Sequence, residues 1–421
     1  MFIRHWKLFT CLLVVFSICG LFCTIVPHDL HAQKGGTVDT PSANTPSQPA
    51  TLAQAQTAYW DRLKKQLGDR VKVSDGDVEC TRMMRAFADW GWHDRCIDQC
   101  DQIMQRWPDK RSDLLFATVM KAQALGKLKR SQEAYNLLDA FEQRYQSDST
   151  LEPGRGPFNV DVRSNVLSTK KDLLYDEGKY RESADATKQM IDLLNNRENE
   201  TAIKYSKVRT SFDLHYSWPA HIADCYGHLG DHAAAVDTYK SILAYLNAPP
   251  DPDKVMLNQL RIVKEYAAPI QYAQYLMQDH RYTDALKIYE DTARNLTNTD
   301  VLHATFQSVK LDMDAIRQGT SKGPRMEYDD VKATYFTKVE LQIQLAECLV
   351  QLRDKTRALQ AVKIVEETLN DQKFIADAVK ANPPNQPLKD TISRRDVDAN
   401  WIKELKTVTI PGLKEKISQL K

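Results

Sequence analysis

Four residues in the first third of the chain have the types and spacing that a metal site would use. His93, Cys96 and Cys100 follow one another at intervals that place them on one face of a helix, and Cys80 lies upstream. Thiolates and imidazoles are the ligands that zinc prefers. The same cysteines fit a second interpretation, because a free cysteine also packs well as a small apolar side chain.

The positions of the cysteines favour the second interpretation. Five cysteines follow the first 32 residues: Cys80, Cys96, Cys100, Cys225 and Cys348. An exported protein can pair such residues in disulfides, but an odd number leaves at least one unpaired. Cys225 and Cys348 each precede a large apolar residue, where a small buried side chain is expected. The sequence therefore predicts packed thiols, no metal and no cofactor. Metal binding or enzymatic use of His93, Cys96 and Cys100 stays open as the alternative.

Composition and motifs exclude other classes of function. Lys and Arg total 57 and Asp and Glu total 56, a formal net charge of +1, so no basic surface is expected for nucleic acid. The chain has no nucleophile elbow of the form G-x-S-x-G, no P-loop and no H-E-x-x-H zinc motif. We therefore predict a protein that is not an enzyme.

The N-terminus predicts export. Arg4 and Lys7 precede an apolar run over residues 8–26, and residues 30–32 (Leu-His-Ala) resemble a cleavage site before Gln33. The run is long for a signal peptide and close to the length of a membrane-spanning helix. Residues 1–32 are thus a cleaved signal or a retained anchor, and either one predicts a periplasmic or extracellular chain. Any membrane contact is expected only through this segment.

The rest of the chain divides into a tether, a helical region and a terminal segment. Residues 33–50 are rich in Gly, Thr, Ser and Pro and predict a flexible linker. Helical spacing of apolar residues begins after Thr51, a candidate cap, and continues through residues 51–380 without sustained strand alternation. Residues 381–421 are expected to form a proline-containing linker and capping helices.

An internal repeat lies in the middle of the helical region. The pattern Pro219-x-x-Ile-Ala-x-x-Tyr recurs as Pro269-x-x-Tyr-Ala-x-x-Leu, and Ala235-x-x-x-Tyr recurs as Ala285-x-x-x-Tyr. Each pair of matching positions is 50 residues apart. Small residues on two successive helices allow close packing, and bulky residues fill the space around that contact.

This pattern resembles the tetratricopeptide repeat (TPR), W-x2-L-G-x2-Y followed by A-x3-F and a proline. Further copies are centred on Phe87 and Cys96, on Ala122 and Ala134, on Leu174 and Ser183, and on Ala346 and Ala358. The resemblance covers roughly residues 77–370 in about six hairpins. Its usual period is 34 residues, so the spacing of 50 predicts first helices that are lengthened upstream, with Pro219 and Pro269 kinking them or beginning their second halves.

The resemblance implies an all-α, right-handed solenoid of antiparallel helical hairpins that binds a protein or peptide partner. In this family the first helices line the binding groove. Mapped onto this chain, the groove-facing candidates are Arg85, Asp89, Asp172, Asp176, Asp224, His228, Gln274 and Gln278. We therefore expect a non-enzymatic interaction scaffold of the cell envelope. A structural part of a larger envelope assembly is a further alternative.

Overall fold

The computed structural model describes residues 47–68, 71–152, 156–195, 213–248, 261–310, 325–381 and 399–420. The predicted export signal or anchor of residues 1–32 lies outside the described residues, as do most of the predicted tether and residues 382–389 of the linker. No helix within these described ranges is long and apolar enough to cross a membrane.

The backbone forms two compact units. The N-terminal unit is the described part of Asp29–Thr210, and the C-terminal unit is the described part of Ser211–Lys421. The helical region predicted over residues 51–380 is thus distributed over both. Each unit has its own buried apolar core, one extending from Ala55 to Leu173 and the other from Tyr216 to Ile417.

The N-terminal unit contains a first helix followed by three antiparallel hairpins. Its helices are α1 Leu52–Leu67, α2 Asp77–Asp89, α3 His93–Arg106, α4 Arg111–Lys127, α5 Ser131–Tyr145, α6 Phe158–Asp176 and α7 Tyr180–Asn195. Helix α1 begins after Thr51, which caps it as predicted. The Gln54 N–H donates to the Thr51 hydroxyl at 3.3 Å, and the Thr51 N–H donates to the Gln54 side chain at 3.2 Å.

The C-terminal unit contains three further hairpins and a terminal helix that packs on the last one. Its helices are α8 Trp218–His228, α9 His232–Asn247, α10 Ala268–Gln278, α11 Tyr282–Asn295, α12 Thr299–Thr305, α13 Asp330–Thr334, α14 Leu341–Gln351, α15 Lys355–Asn370, α16 Gln372–Ala381, α17 Ala399–Glu404 and α18 Ile410–Ser418. The hairpins are α8/α9, α10/α11 and α14/α15, and α18 packs against α15. The predicted all-α fold of TPR-like hairpins is confirmed.

Every hairpin turns at one residue with left-handed backbone conformation. These residues, with φ from +60° to +76°, are Gly91, Lys129, Gly178, Gly230, His280 and Arg353. The N–H of the following residue reaches back to a carbonyl of the first helix, as from Asp231 to Tyr226 at 2.9 Å and from Arg281 to Leu276 at 2.8 Å. This bond pattern satisfies carbonyls at the helix end and favours glycine at the left-handed position.

Small, fully buried residues mark where the two helices of a hairpin meet. Five residues after the left-handed residue, the second helices have Cys96, Ala134, Ser183, Ala235, Ala285 and Ala358, each 0% exposed. Seven residues before it, four first helices have the buried residues Ala122, Ala223, Ala273 and Ala346. The first and third hairpins have Met84 and Lys171 at that position instead. The packing predicted from the repeat is therefore confirmed, with two substitutions in the N-terminal unit.

The predicted lengthening of the first helices takes the form of a wide helical turn. π-Helical segments Asp213–Ser217 and Val263–Ala267 run directly into α8 and α10. Pro219 and Pro269 stand in the first turn of these helices, where a missing N–H is tolerated. The two prolines therefore begin the second halves of longer helices, as expected. A third wide turn, Leu405–Thr409, precedes α18, which has Pro411 in its first turn. A fourth, Tyr335–Glu340, precedes α14 without a proline, and nothing in the sequence explains it.

Two short antiparallel strand pairs depart from the helix-only expectation. Strands β1 Leu151–Glu152 and β2 Gly156–Pro157 pair before α6, and β3 Gln307–Lys310 pairs with β4 Arg325–Tyr328 before α13. The sequence showed no sustained strand alternation, and these strands are only two to four residues long. Backbone pairing in these strands satisfies N–H and C=O groups that a plain loop would leave to solvent. Residues 311–324 lie outside the described part of the chain.

Candidate functional site

The first helices of neighbouring hairpins contact each other through a glycine in both units. A methyl group added at Gly126 of α4 would lie 2.2 Å from Leu173 Cδ2 of α6. One added at Gly227 of α8 would lie 2.6 Å from Tyr275 Cε1 of α10. Both distances are too short for non-bonded carbon atoms, so a side chain at either glycine would require Leu173 or Tyr275 to move. Neighbouring first helices therefore form a continuous face within each unit, and the predicted groove residues can be placed on it.

Arg85 and Asp89 lie at the C-terminal end of α2. The Arg85 guanidinium carbon is 4.3 Å from the centroid of the Phe116 ring on α4, a cation–π contact between two first helices. Desolvation lowers the pKa of Arg85 from its usual value, and the Asp89 carboxylate acts in the opposite direction. Both residues are exposed, so the structure leaves a charged pair at the surface of the first hairpin.

Asp172 and Asp176, both exposed, lie on α6 and are held by lysines. The Lys127 ammonium of α4 is 2.7 Å from the Asp176 carboxylate, next to the Gly126–Leu173 contact. Lys171 is 2.5 Å from the Asp172 carboxylate. The exposed Lys127–Asp176 pair contributes little to stability, roughly 0–1 kcal/mol, whereas Lys171 is only 7% exposed. Asp176 is therefore an accessible charge that a partner can compete for at small cost.

Asp224 and His228 lie one turn apart on α8 in the C-terminal unit. The Tyr275 hydroxyl of α10 donates to the Asp224 carboxylate at 3.3 Å, and His228 Nε2 is 3.9 Å from the same carboxylate. Burial, with the Asp224 charge next, raises the pKa of Tyr275, so this hydroxyl stays protonated and acts as a donor. The bond fixes the ring that fills the space above Gly227.

Gln274 and Gln278, both predicted to face the groove, are buried and half-buried. Gln274 is only 8% exposed, so little of its side chain is open to a partner. It directly precedes Tyr275 on α10, whose ring contacts α8 at Gly227. Gln278 is half-buried, and its Oε1 atom is buried without a hydrogen-bond partner. A buried acceptor without a partner costs about 1–3 kcal/mol, so this atom is a candidate contact for a bound molecule.

The structure does not bring His93 into a ligand group with Cys96 and Cys100. Across the described ranges, no three His, Cys, Asp or Glu side chains stand together as metal ligands. The Nδ1 atom of His93 is buried without a hydrogen-bond partner. All five described cysteines are buried and none is in a disulfide, which confirms their prediction as packed thiols. The zinc-type site considered from the spacing is therefore wrong as a three-ligand group.

Several residues of these faces were missed by sequence reasoning. Phe116, Lys127 and Tyr275 each contact a predicted groove residue from the neighbouring first helix. Gly126 and Gly227 make the contacts between those helices possible. One signal was available, because both glycines stand three residues before a left-handed turn residue. The missed side chains carry no such signal, since each meets its partner only after two hairpins have packed.

Comparisons with solved structures return helical-repeat proteins at low identity. BtubC (BKLC) from P. vanneervenii matches at 13% identity and a TM-score of 0.41, covering 72% of this chain and 93% of that chain. A putative kinesin light chain with nearly identical TPR-like repeats from P. anserina matches at 13% identity and a TM-score of 0.36, covering 65% and 99%. The TPR2AB-domain:pHSP90 complex of yeast Sti1 matches at 9% identity and a TM-score of 0.22, covering 82% and 98%. No protein-family model and no curated protein sequence matches the chain.

Proposed function

We propose that this chain is an exported, non-enzymatic scaffold that binds a protein or peptide partner along the faces of its first helices. The observation that carries the proposal is the buried, unsatisfied Oε1 atom of Gln278 on α10. It lies one helical turn after Gln274 and at the end of the helix that contacts Asp224. A main-chain N–H of an extended peptide supplies the donor that this atom lacks.

The surrounding chemistry supports a peptide rather than a small apolar ligand. Asp224 offers a carboxylate and His228 an imidazole on α8, and α10, which carries Gln278, contacts α8 through Tyr275. Such groups form hydrogen bonds with main-chain amides and polar side chains, and they are poor contacts for a hydrocarbon. The unsatisfied Oε1 atom of Gln278 therefore favours a ligand that donates hydrogen bonds over one that only buries apolar surface.

Gln278→Leu tests this proposal in two directions. Removing a buried acceptor that has no partner should leave the free energy of unfolding unchanged or raise it by about 1 kcal/mol. Binding should weaken at least tenfold, because the contact with the partner is lost. The probe is a random peptide library displayed on phage and selected on the wild-type chain, followed by affinity measurements on the selected peptides with both chains.

The matched control is Lys240→Leu, an exposed position on the second helix α9. Selected peptides should bind this variant as they bind the wild type. Equal binding to the wild-type, Gln278→Leu and Lys240→Leu chains would count against the face on α8 and α10. Failure to select any peptide would count against peptide binding itself.

Export forms a separate part of the proposal and rests on the pattern of residues 1–32 alone. The measurement is the N-terminal sequence of the protein purified from its native source. A chain that begins at Gln33 supports cleavage after Ala32, and one that retains the apolar run of residues 8–26 in a membrane fraction supports an anchor. An intact N-terminus in the cytoplasmic fraction would contradict export.

A further inference from the structure

Sulfur atoms replace carbon at three aligned core positions of the first hairpin. The hairpins can be aligned on the left-handed residue of each turn. In this alignment Met84 corresponds to Ala122 of the second hairpin, Cys96 to Ala134, and Cys100 to Leu138. In the fourth hairpin the corresponding residues are Ala223, Ala235 and Tyr239. The other five hairpins have no sulfur-containing residue at these three positions. Core packing alone therefore does not require cysteine or methionine there.

The three sulfur-bearing side chains are fully buried and close together. The Cys100 thiol donates to Met84 Sδ at 3.1 Å, across the contact between α2 and α3. Cys96 lies one turn before Cys100 on the same face of α3. Burial raises the pKa of the Cys100 thiol well above its usual range, and the neighbouring Cys96 thiol acts in the same direction. All three side chains are 0% exposed.

We propose that Met84, Cys96 and Cys100 form a binding site for a soft monovalent metal ion, Cu(I) or its analogue Ag(I). Thiolates and thioethers are soft ligands that select Cu(I), whereas Zn²⁺ prefers a tetrahedral set of four Cys, His or carboxylate ligands. The described structure gives this cluster two thiols and one thioether, which fits the softer ion. Compared with the site that the sequence spacing suggested, this site keeps Cys96 and Cys100 and has Met84 in place of His93 as the third ligand.

Binding involves no change of oxidation state. Each cysteine that binds loses its thiol proton to solvent, and a Cu–S bond takes the place of the S–H bond. With both thiols deprotonated, the loaded site carries one net negative charge. The Lys121 ammonium of α4 is paired with the Asp101 carboxylate at 2.6 Å, and Asp101 opposes a charge on Cys100 more than Lys121 favours it. The Cu–S bonds must therefore offset the cost of burying that charge. The sulfur atoms must also move apart, because Cys100 and Met84 now contact each other directly.

The first experiment is anaerobic titration of the full-length, reduced chain with Cu(I) in the presence of a chromogenic Cu(I) chelator. The wild type should withdraw one equivalent of Cu(I) from the chelator. The variants Cys96→Ala and Cys100→Val use residues that other hairpins have at these positions, so the fold should tolerate them. Each should lower the affinity at least tenfold, and Met84→Leu should lower it several-fold.

The matched control is Cys348→Ala, which removes a buried thiol from the C-terminal unit and should leave Cu(I) binding unchanged. X-ray absorption at the copper edge of the loaded wild type gives a readout that does not depend on the variants. A sulfur-only ligand shell is expected. The proposal would be overturned if the wild type withdrew no Cu(I) from the chelator, or if all four variants bound Cu(I) equally well. Nitrogen or oxygen ligands at the bound copper would also overturn it.

Discussion

The two units make the same contact between neighbouring first helices with different side chains. In the N-terminal unit, Gly126 faces the end of a leucine side chain, Leu173, and a surface ion pair lies beside it. In the C-terminal unit, Gly227 faces the Tyr275 ring, which is bonded to Asp224 and lies 5.4 Å from the Tyr239 ring. The leucine has freedom to change rotamer, whereas the ring is held on two sides. The same contact between first helices is thus made by a flexible side chain in the N-terminal unit and by a fixed ring in the C-terminal unit.

This difference bears on where the proposed partner would be recognised. A rigid, hydrogen-bonded ring holds its neighbour Asp224 in a defined geometry, which lowers the entropy that such binding must offset. Solvated ion pairs such as Lys127–Asp176 are adaptable but weak. We therefore expect the C-terminal unit to determine specificity and the N-terminal unit to contribute long-range charge effects.

The largest expected effect comes from filling the contact within a hairpin. Ala122→Leu in the N-terminal unit and Ala223→Leu in the C-terminal unit each insert a larger side chain at a residue with 0% exposure. Overpacking should lower the free energy of unfolding by about 1–3 kcal/mol or more, measured by urea denaturation. Ala233→Leu, at an exposed position of α9, is the control and should change stability by less than about 0.5 kcal/mol. Wild-type stability of both core variants would contradict the helix register.

The next prediction tests the compliant and rigid contacts directly. Gly227→Ala should cost about 1–2 kcal/mol, because the Tyr275 ring cannot move aside without losing its bond to Asp224. Gly126→Ala should cost less than about 1 kcal/mol, since Leu173 can change rotamer and alanine improves helix propensity. Thermal melts of both variants measure the difference. Adding Tyr275→Leu to Gly227→Ala should recover part of the loss, and an equal cost at both glycines would remove the distinction.

Stabilisation is expected at the turns where the left-handed residue is not glycine. His280→Gly and Lys129→Gly each relieve the steric cost of a side chain at φ near +60° and should raise stability by about 1 kcal/mol. Lys287→Gly, at an exposed position within α11, is the control and should lower stability by about 1 kcal/mol. Chemical denaturation distinguishes the two signs. Destabilisation by His280→Gly would show that the imidazole stabilises its turn more than the strain costs.

The last prediction concerns pH and belongs to the N-terminal unit. Desolvation, and then the charge of Lys127, lowers the pKa of His93 below its usual value of about 6.5. The unfolded chain therefore takes up this proton first, and stability should fall as pH drops below about 6.5, by no more than about 1.4 kcal/mol per pH unit. His93→Gln should flatten the unfolding free energy between pH 5 and about 6.5. An unchanged slope in that variant would assign the loss to other groups.

Much of the fold follows from local patterns in the sequence. The positions of Ala223, Ala235, Ala273 and Ala285 were sufficient to predict two hairpins and their packed faces, because a close helix contact tolerates only small side chains. The core spacing of the cysteines likewise predicted their burial, and their odd number predicted at least one free thiol. Thr51 predicted a helix start, since a hydroxyl there satisfies a backbone N–H that has no helical partner.

The candidate site was less accessible to prediction. Gln274 was placed on the groove face from the family resemblance, but the structure buries it, and burial depends on how neighbouring helices pack. The contact between α8 and α10 is likewise made by Gly227 and Tyr275, which are far apart in sequence. The strand pairs β1/β2 and β3/β4 were missed for a related reason, because pairing across a loop is not encoded in the alternation of either short strand.

The sequence by itself determined the helical hairpins, their number and the small residues at which each pair closes, since these depend on spacing within one segment. Only the tertiary structure decided which side chains meet between hairpins: Arg85 with Phe116, Lys127 with Asp176, and Tyr275 with Asp224. It also placed Met84 against Cys100 in the first core. These contacts depend on the separation and rotation of packed helices, which are set by side chains from several segments at once.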